Sequence, residues 1–286
     1  MWPHREASRF VDAGDVRWHV QVMGEADAPA VLLLHGTGAA THSWHGLAPL
    51  LAENFRVLAP DLPGHGFSSS PPDNRHSLPA FAALISQLLS KLAVSPSLIV
   101  GHSAGAAIAV RMSLDDLAEP ESIISINGAL LPLQGLPGQI FSPLAKLLAA
   151  NSLVPRLFSW RAGDPAVTER LLRGTGSKID QESMACYGEL MRHSSHATAA
   201  LKMMAHWNLS ALQQDLPRLK TPLRLIVGNN DRTVPASEAY RVKALLPLVS
   251  ITPLAGLGHL AHEEAPQVVF AAIDRILKLE VWEAQS

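Results

Sequence analysis

The chain has 286 residues, of which 48% are hydrophobic and 17% are charged, and its formal net charge is −2. This composition can form a large buried core, and without a basic block it predicts no nucleic-acid partner. The single cysteine, Cys186, excludes a disulfide within the chain and indicates a reducing compartment.

At the start of the chain, MWPHREASRF lacks the apolar centre of a signal peptide, and no later apolar run reaches the ~18 residues of a membrane span. We therefore expect a soluble, cytoplasmic protein without a transmembrane segment. Apolar runs bounded by turn residues predict strands at 16–22, 30–36, 55–61, 97–100, 122–127, 222–231 and 249–256. Helical spacing occurs in 41–55, in 78–92 and after Ser103. This alternation predicts an α/β fold with a mostly parallel central sheet and helices on both faces.

One long segment interrupts the alternation of strands and helices. Residues 129–212 contain no convincing strand but several apolar helical pieces, among them SPLAKLLAAN, VPRLFSW, VTERLLRG, YGELMRH and ATAALKMMAHW. Because the strand–helix rhythm resumes afterwards, we interpret 129–212 as a helical lid inserted into a core formed by 1–128 and 213–286. The alternative is that these helices belong to a larger core.

The pentapeptide Gly101-His102-Ser103-Ala104-Gly105 has the pattern G-x-S-x-G. This pattern puts a serine on a tight turn between a strand and a helix, with its hydroxyl exposed above the sheet. An apolar strand precedes Ser103 and small residues follow it, as such a turn requires. Ser103 is therefore our candidate nucleophile, and the alternative is an ordinary serine in a turn.

A serine hydroxyl needs a general base, and that base needs a partner to orient it. Asp231 and His259 each follow a predicted strand, and the chain order serine, aspartate, histidine is the order typical of this motif. Asn127 occupies the other position at which an acid could stand, and it cannot carry the charge. His262 is the nearest rival to His259, but it begins a helix in which we expect Glu263 and Glu264 to stabilise the N-terminus.

Acyl transfer also needs donors for the oxyanion, and in this arrangement both are backbone N–H groups. One follows the nucleophile and is Ala104, and for the other we choose Thr37 in the glycine-containing stretch His35–Gly38. We expect His35 and His65 to organise loops rather than to catalyse.

A substrate pocket is expected between the lid and the sheet. Its candidate lining combines residues beside the nucleophile with apolar lid residues: Gly36, His102, Trp160, Met203, Met204 and Trp207. The alternative is that the lid residues form its own core. The lid histidines His193, His196 and His206 have no metal-site spacing, and we expect them to face solvent. Because the chain has no P-loop, dinucleotide motif or CxxC pair, we predict neither a cofactor nor a bound metal.

The blocks HGTG, DLPGHGFS, GHSAG, GNNDRTVP and GLGH, in this order, resemble the α/β-hydrolase superfamily over nearly the whole chain. The serine at 103 argues against haloalkane dehalogenases and epoxide hydrolases, which use an aspartate there. Longer blocks resemble magnesium-chelatase accessory proteins encoded with bacteriochlorophyll biosynthesis genes: WPHREASRFV, HGTGAATHSWHGLAPLLA, GHSAGAAIAVRM, NGALLPLQG, FSPLAKLLA, LKMMAHWNL and GLGHLAHEEAP. The resemblance implies an association with magnesium insertion into a porphyrin, but it does not identify a reaction.

These patterns predict a serine hydrolase of ester or related acyl bonds. The apolar lid indicates a small-molecule substrate with a bulky apolar part, and the resemblance makes a tetrapyrrole ester the candidate. A second hypothesis is a non-catalytic accessory protein that binds a porphyrin or a component of magnesium chelatase. A third is a hydrolase of aromatic catabolism that cleaves carbon–carbon bonds or lactones.

Overall fold

The computed structural model describes residues 2–132, 161 and 164–284, with side chains up to Leu279. Its centre is one sheet in the order β1-β2-β4-β3-β5-β6-β7-β8. The strands are β1 (Ser8–Ala13), β2 (Val16–Met23), β3 (Ala30–Leu34), β4 (Arg56–Pro60), β5 (Leu98–His102), β6 (Ser122–Ile126), β7 (Leu223–Gly228) and β8 (Ser250–Leu254).

The sheet is mostly parallel, as the alternation of strands and helices predicts. From β4 through β8 every neighbouring pair is parallel, and only β1 with β2 and β2 with β4 run antiparallel. Strand β1 was not predicted, because Ser8–Ala13 lies at the edge of the sheet and leaves most of its side chains partly or fully exposed.

The part of the chain that the structure describes contains ten helices. They are α1 (Ala48–Ala52), α2 (Leu78–Leu92), α3 (Ala104–Leu114), α4 (Pro165–Gly174), α5 (Gln181–Arg192), α6 (Ser194–His206), α7 (Leu209–Asp215), α8 (Ser237–Leu245), α9 (Ala261–Glu264) and α10 (Pro266–Ala284). The predicted helical stretch 41–55 is broken instead: it forms a 3-10 turn at Thr41–Trp44 and then the short α1.

Both faces of the sheet are buried, which explains the continuous apolar runs of the central strands. In β3, Leu32 and Leu34 belong to the cluster that packs under α2 and α3, whereas Val31 and Leu33 belong to the cluster under α1 and α10. The alternation of side chains along the strand assigns successive residues to opposite layers. A core of two helical layers around one sheet results.

The chain leaves the sheet at Ile126 and re-enters it at Leu223, and helices α4 to α7 lie in this interval. The pieces VTERLLRG, YGELMRH and most of ATAALKMMAHW are helical, as expected, while SPLAKLLAAN and VPRLFSW lie outside the described residues. The division into a core and a lid at 129–212 stays a prediction. Among the described residues, no helix is both long enough and apolar enough to cross a membrane.

Candidate active site

Ser103 lies on a strained turn between β5 and α3, with φ 51° and ψ −114°. A positive φ is costly for a residue with a side chain, so the surrounding structure must hold the turn. It does so through the Ser103 N–H, which donates to the carbonyl oxygen of Ile126 at 3.1 Å. A side chain at Gly105 would run into the carbonyl oxygen of Leu34, which explains the glycine after the serine.

Three side chains predicted from the sequence are joined by hydrogen bonds. The distance from Ser103 Oγ to His259 Nε2 is 3.0 Å, and His259 Nδ1 lies 2.7 Å from Asp231 Oδ2. The other carboxylate oxygen of Asp231 accepts backbone N–H groups from Thr233 at 2.7 Å and Val234 at 2.9 Å. An aspartate held in this way fixes the tautomer of His259, whose Nδ1–H donates to the carboxylate and whose Nε2 can accept the serine proton.

Asn127 and His102 hold the backbone of the loop that carries His259. The Nδ2 of Asn127 donates to the carbonyl oxygens of Gly258 and His259, both at 2.9 Å, and its Oδ1 accepts the N–H of Gly228 at 2.8 Å. His102 Nε2 donates to the same carbonyl oxygen of His259 at 2.9 Å. Asn127 therefore links the ends of β6 and β7 to this loop. The sequence excluded it as the acid but did not indicate this function.

The 35–40 loop, which follows β3, passes directly beside the serine. A Cβ at Gly36 would lie 2.9 Å from His102 Nδ1 and 3.1 Å from Ser103 Cβ. Ala104, at the first position of α3, is buried next to the serine, and the first N–H groups of a helix have no partner inside the helix. Of the two predicted donors, Ala104 therefore follows Ser103 directly in the chain. Thr37 follows Gly36, which lies against Ser103 in space.

His35 and His65 lie in loops beside the site, as expected, and both are buried. His35 accepts the N–H of Leu62 on Nε2 at 2.9 Å and donates from Nδ1 to the carbonyl oxygen of Gly36 at 2.8 Å. Burial lowers the pKa of His35 to about 4, so the ring is neutral near pH 7, as this pair of bonds requires.

Helix α6 lies against the 35–40 loop. Met203 is fully buried, and its sulfur accepts a hydrogen bond from Thr37 Oγ1 at 3.5 Å. The prediction that His196 faces solvent is wrong. His196 is buried and contacts two loops, because α6 turns this face inwards, whereas His193 and His206 are exposed. A single histidine in a helix carries no sequence signal that distinguishes these environments.

The remaining candidate pocket residues are distributed unevenly. Met204 is half-buried. Trp207 is also half-buried and packs on the core cluster under α2 and α3, with its ring 6.3 Å from that of Phe81. Met203 also belongs to this core. Trp160 lies outside the described residues. Their role in binding a substrate stays a prediction.

The environment of Glu263 does not fit the expectation that its charge stabilises the helix N-terminus. It is buried, and its Oε1 accepts the hydroxyl hydrogen of Tyr187 at 2.7 Å, because α5 packs over the short helix α9. Burial raises the pKa of Glu263 to about 8, although the bond from Tyr187 acts in the opposite direction. Next to it, His262 is also buried, and burial lowers its pKa to about 3.

Glu264, unlike Glu263, accepts backbone N–H groups with both carboxylate oxygens, and one of these bonds holds the loop that carries His259. Its Oε1 accepts the N–H of Gly258 at 2.7 Å, and its Oε2 accepts that of Lys178 at 2.9 Å. The ring of His262 lies 4.4 Å from that of His102 and 4.6 Å from that of Trp44, whereas the hydrogen bonds to Ser103 and Asp231 come from His259. Within the described ranges, no group of three histidine, cysteine or acidic side chains is arranged to hold a metal ion.

An eight-stranded, mostly parallel sheet with a serine at a strained strand-to-helix turn defines an α/β-hydrolase fold. The chain belongs to the alpha/beta hydrolase family, whose model matches residues 31–272. The magnesium-chelatase 30 kDa subunit of Rhodobacter capsulatus is similar to it, with 39% identity over 92% of each chain.

Solved structures share the fold at low sequence identity. An alpha/beta hydrolase fold protein from Burkholderia ambifaria superposes with a TM-score of 0.75 at 22% identity, over 93% of this chain and 98% of that one. The epoxide hydrolase CorEH superposes with a TM-score of 0.76 at 20% identity, over 93% and 96%. At these identities the likeness concerns the fold alone.

Proposed function

We propose that the protein is a serine hydrolase that cleaves an ester or a related acyl bond. The observation that carries the proposal is the hydrogen-bonded series Ser103, His259 and Asp231 at 3.0 and 2.7 Å. A general base within hydrogen-bond reach of a serine hydroxyl, with an acid behind it, is the arrangement that activates such a nucleophile. The side chains of His259 and Asp231 are buried, so water competes little for these bonds.

In the proposed reaction, Ser103 Oγ forms a bond to the substrate carbonyl carbon while its proton passes to His259 Nε2. The carbonyl oxygen becomes an oxyanion, and the N–H groups of Ala104 and Thr37 stabilise it. The bond to the leaving group then breaks, and that group takes the proton from His259. Water repeats the sequence on the acyl-serine, with His259 as the base. Asp231 stabilises the imidazolium formed in each half.

The experiment is intact-mass labelling with an alkyl fluorophosphonate, followed by peptide mapping. Ser103 Oγ would displace fluoride from phosphorus and give one adduct. We expect the adduct on Ser103 in the wild-type protein and none in Ser103→Ala, with severe loss of labelling in His259→Ala. The matched control is His193→Ala, which removes an exposed histidine outside the site. A folded wild-type protein that forms no adduct would contradict the proposal.

For the substrate, the proposal is a tetrapyrrole ester. The support is the relative from Rhodobacter capsulatus, named a magnesium-chelatase subunit and 39% identical to this chain. A tetrapyrrole also has the bulky apolar part that an apolar lid suits. Protoporphyrin dimethyl ester is the probe, and water would convert it to the free acid and methanol. Acid formed by the wild type and not by Ser103→Ala would support the proposal.

The same relative favours a second candidate, an accessory protein that binds a porphyrin or a chelatase component without turnover. Titration of protoporphyrin into the wild type and Ser103→Ala, followed by fluorescence, separates the two. Tight binding by both, with no acid released from any tested ester, would favour the accessory function. Binding together with product formation that depends on Ser103 would favour the hydrolase.

A further inference from the structure

His196, on helix α6, connects two loops beside the candidate nucleophile. Its Nε2 lies 3.0 Å from the carbonyl oxygen of Gly38, and its Nδ1 lies 3.1 Å from the backbone nitrogen of Gly66. The first bond requires a hydrogen on Nε2 and the second a lone pair on Nδ1, so one neutral tautomer satisfies both. Burial lowers the pKa of His196, which favours this neutral form.

Helix α6 meets these loops at two further points. A Cβ at Gly64 would lie 2.5 Å from that of Ala199, so the helix is in close contact with the 61–69 loop. One turn further along, Met203 accepts the hydrogen bond from Thr37. Side chains three and four residues apart share one face of a helix, and this face of α6 covers both loops.

The 35–40 loop is held from the side of α6 by the bond from His196 to the Gly38 carbonyl oxygen. Gly38 has a φ of 77°, a conformation that a glycine adopts without cost, and a Cβ placed there would meet nothing within 4 Å, so no side chain packs around this residue. On the inner side, His35 holds the Gly36 carbonyl, and the planar peptide couples that carbonyl to the N–H of Thr37. Beyond Gly38, the Ala39 N–H donates to the Gly36 carbonyl oxygen at 3.2 Å and the Thr41 N–H donates to Asp61 Oδ1 at 2.7 Å. The Gly38 peptide lies between these anchors, and His196 holds its carbonyl oxygen.

We infer that His196 is a positioning residue that holds the 35–40 loop, through the Gly38 carbonyl, in the geometry that aims the Thr37 N–H at the oxyanion. The hydrogen bonds of His196 go to the two loops and not to Ser103, so it acts through the 35–40 loop. Because it lies on α6, the bond also makes the geometry of the donor depend on the docking of this helix. The inference rests on the proposed hydrolase function, and its test separates the two.

The test uses four variants of the full chain and the fluorophosphonate as probe. His196→Phe keeps the ring volume but loses both hydrogen bonds, whereas His196→Gln keeps one donor and one acceptor. His206→Ala removes an exposed histidine from the same helix and is the matched control. His196→Ala is a second loss variant in case the phenylalanine disturbs folding. Circular dichroism and the melting temperature establish that each variant is folded.

Phosphonylation places the phosphoryl oxygen where the oxyanion would lie, so a misplaced donor lowers the maximal rate kinact rather than the affinity. Since losing one oxyanion donor costs about 10²–10³ in rate, we expect a misaligned donor in His196→Phe to lower kinact by about 10-fold or more. The fluorophosphonate concentration that gives half of kinact should stay within about threefold of the wild-type value. His196→Gln should recover most of the wild-type kinact. His206→Ala should label like the wild type.

Folded His196→Phe or His196→Ala with the wild-type kinact would overturn the inference, and so would an equal loss in the phenylalanine and glutamine variants. If the wild type itself is not labelled, the proposed function fails instead. The loop contact is then judged by hydrogen exchange. We expect residues 35–40 and 61–69 to exchange about 10-fold faster in His196→Phe than in the wild type, because opening these loops no longer breaks two bonds. Unchanged exchange would overturn the inference.

Discussion

The hydroxyl of Tyr187 donates to Oε1 of Glu263 at 2.7 Å, and both side chains are buried. Tyr187 lies on α5, between β6 and β7 in the chain, while Glu263 lies on α9, which begins two residues after His259. The hydrogen bond therefore joins the inserted helices to the segment that carries the candidate base. A raised pKa of Glu263, to about 8, makes this contact sensitive to pH.

Replacing Glu263 should change how stability depends on pH. The unfolded carboxyl releases its proton near pH 4.5, but the folded one keeps it up to about pH 8. Between these values the folded state binds more protons, so the wild-type free energy of unfolding loses up to about 1.4 kcal/mol per pH unit as pH rises. Glu263→Gln removes this loss and should gain on the wild type from pH 5 to 8.

The measurement for Glu263→Gln is urea unfolding of both proteins at pH 5, 6, 7 and 8. Glu182→Gln, at an exposed position on α5, is the control and should differ from the wild type by a constant amount. A difference between Glu263→Gln and the wild type that does not change with pH would show that the carboxyl is already ionised in the folded protein.

His262 should have the opposite effect, at acid pH. Its ring nitrogens have no hydrogen-bond partner among the described residues, and burial lowers its pKa to about 3. Below the unfolded pKa of 6.5, the unfolded chain takes up a proton that the folded ring does not. The free energy of unfolding of the wild type therefore decreases as the pH is lowered. His262→Phe should therefore gain about 2 kcal/mol on the wild type between pH 7 and pH 5.

Thermal and urea unfolding at both pH values would measure the gain of His262→Phe. The exposed His193 supplies the control, because His193→Phe makes the same replacement at a position that solvent already reaches. If the two phenylalanine variants change equally with pH, burial of the His262 ring is not the cause.

Asn127→Asp tests the link between β6, β7 and the histidine loop. The aspartate can still accept the N–H of Gly228, but its carboxylate would face the carbonyl oxygens of Gly258 and His259, to which Asn127 donates. Loss of these buried bonds should lower the free energy of unfolding by about 2–4 kcal/mol and slow labelling of Ser103. Asn208→Asp is the control, since Asn208 only accepts N–H groups at the start of α7. A tolerated Asn127→Asp would mean that other contacts hold the loop.

Asp231→Asn tests the orientation of His259. The asparagine oxygen can still accept the N–H groups of Thr233 and Val234, which turns its NH₂ towards His259 Nδ1. The imidazole then carries its hydrogen on Nε2 and cannot accept the proton of Ser103. We expect labelling by fluorophosphonate to slow by about 10³-fold or more without loss of folding.

The control for Asp231→Asn is Asp180→Asn, because Asp180 caps α5 and asparagine caps a helix equally well. Second-order labelling rates of the three proteins decide the question. Wild-type rates in Asp231→Asn would mean that another group orients the histidine.

Gly105→Ala should prevent formation of the serine turn. The added methyl group would meet the carbonyl oxygen of Leu34, which belongs to the rigid backbone of β3, so the cost should exceed about 4 kcal/mol. Gly188 on α5 faces open space, and Gly188→Ala should stabilise the protein by up to about 1 kcal/mol. Melting temperatures of the two variants check the contrast, and similar values would show that the turn can relax.

Local patterns in the sequence predicted the central strands and the order of the site residues. Buried strands read as continuous apolar runs, and the parallel strands bring their carboxyl ends to one edge, where Ser103, Asp231 and His259 lie. The turn at Ser103 was predictable because only small residues fit around it.

The features that the sequence did not indicate depend on contacts between distant segments. His196 and Gly38 are 158 positions apart, and Asn127 and Gly258 are 131 apart, so no local period connects them. Glutamate is a residue type that usually lies on the surface, so the sequence does not indicate that Glu263 is buried against Tyr187 of α5. Edge strand β1 was missed because a strand with exposed side chains lacks the apolar pattern.

The direct pairing of β6 with β7 has a consequence for how this protein could be altered. Ile126 is opposite Ile226 in the ladder, so the segment that departs after β6 returns to the neighbouring strand. Its two attachment points are adjacent in space whatever lies between them. An exchange of the intervening stretch would therefore begin and end at two fixed, neighbouring strands, but it would also have to replace the buried contacts that Tyr187 and His196 make outside it.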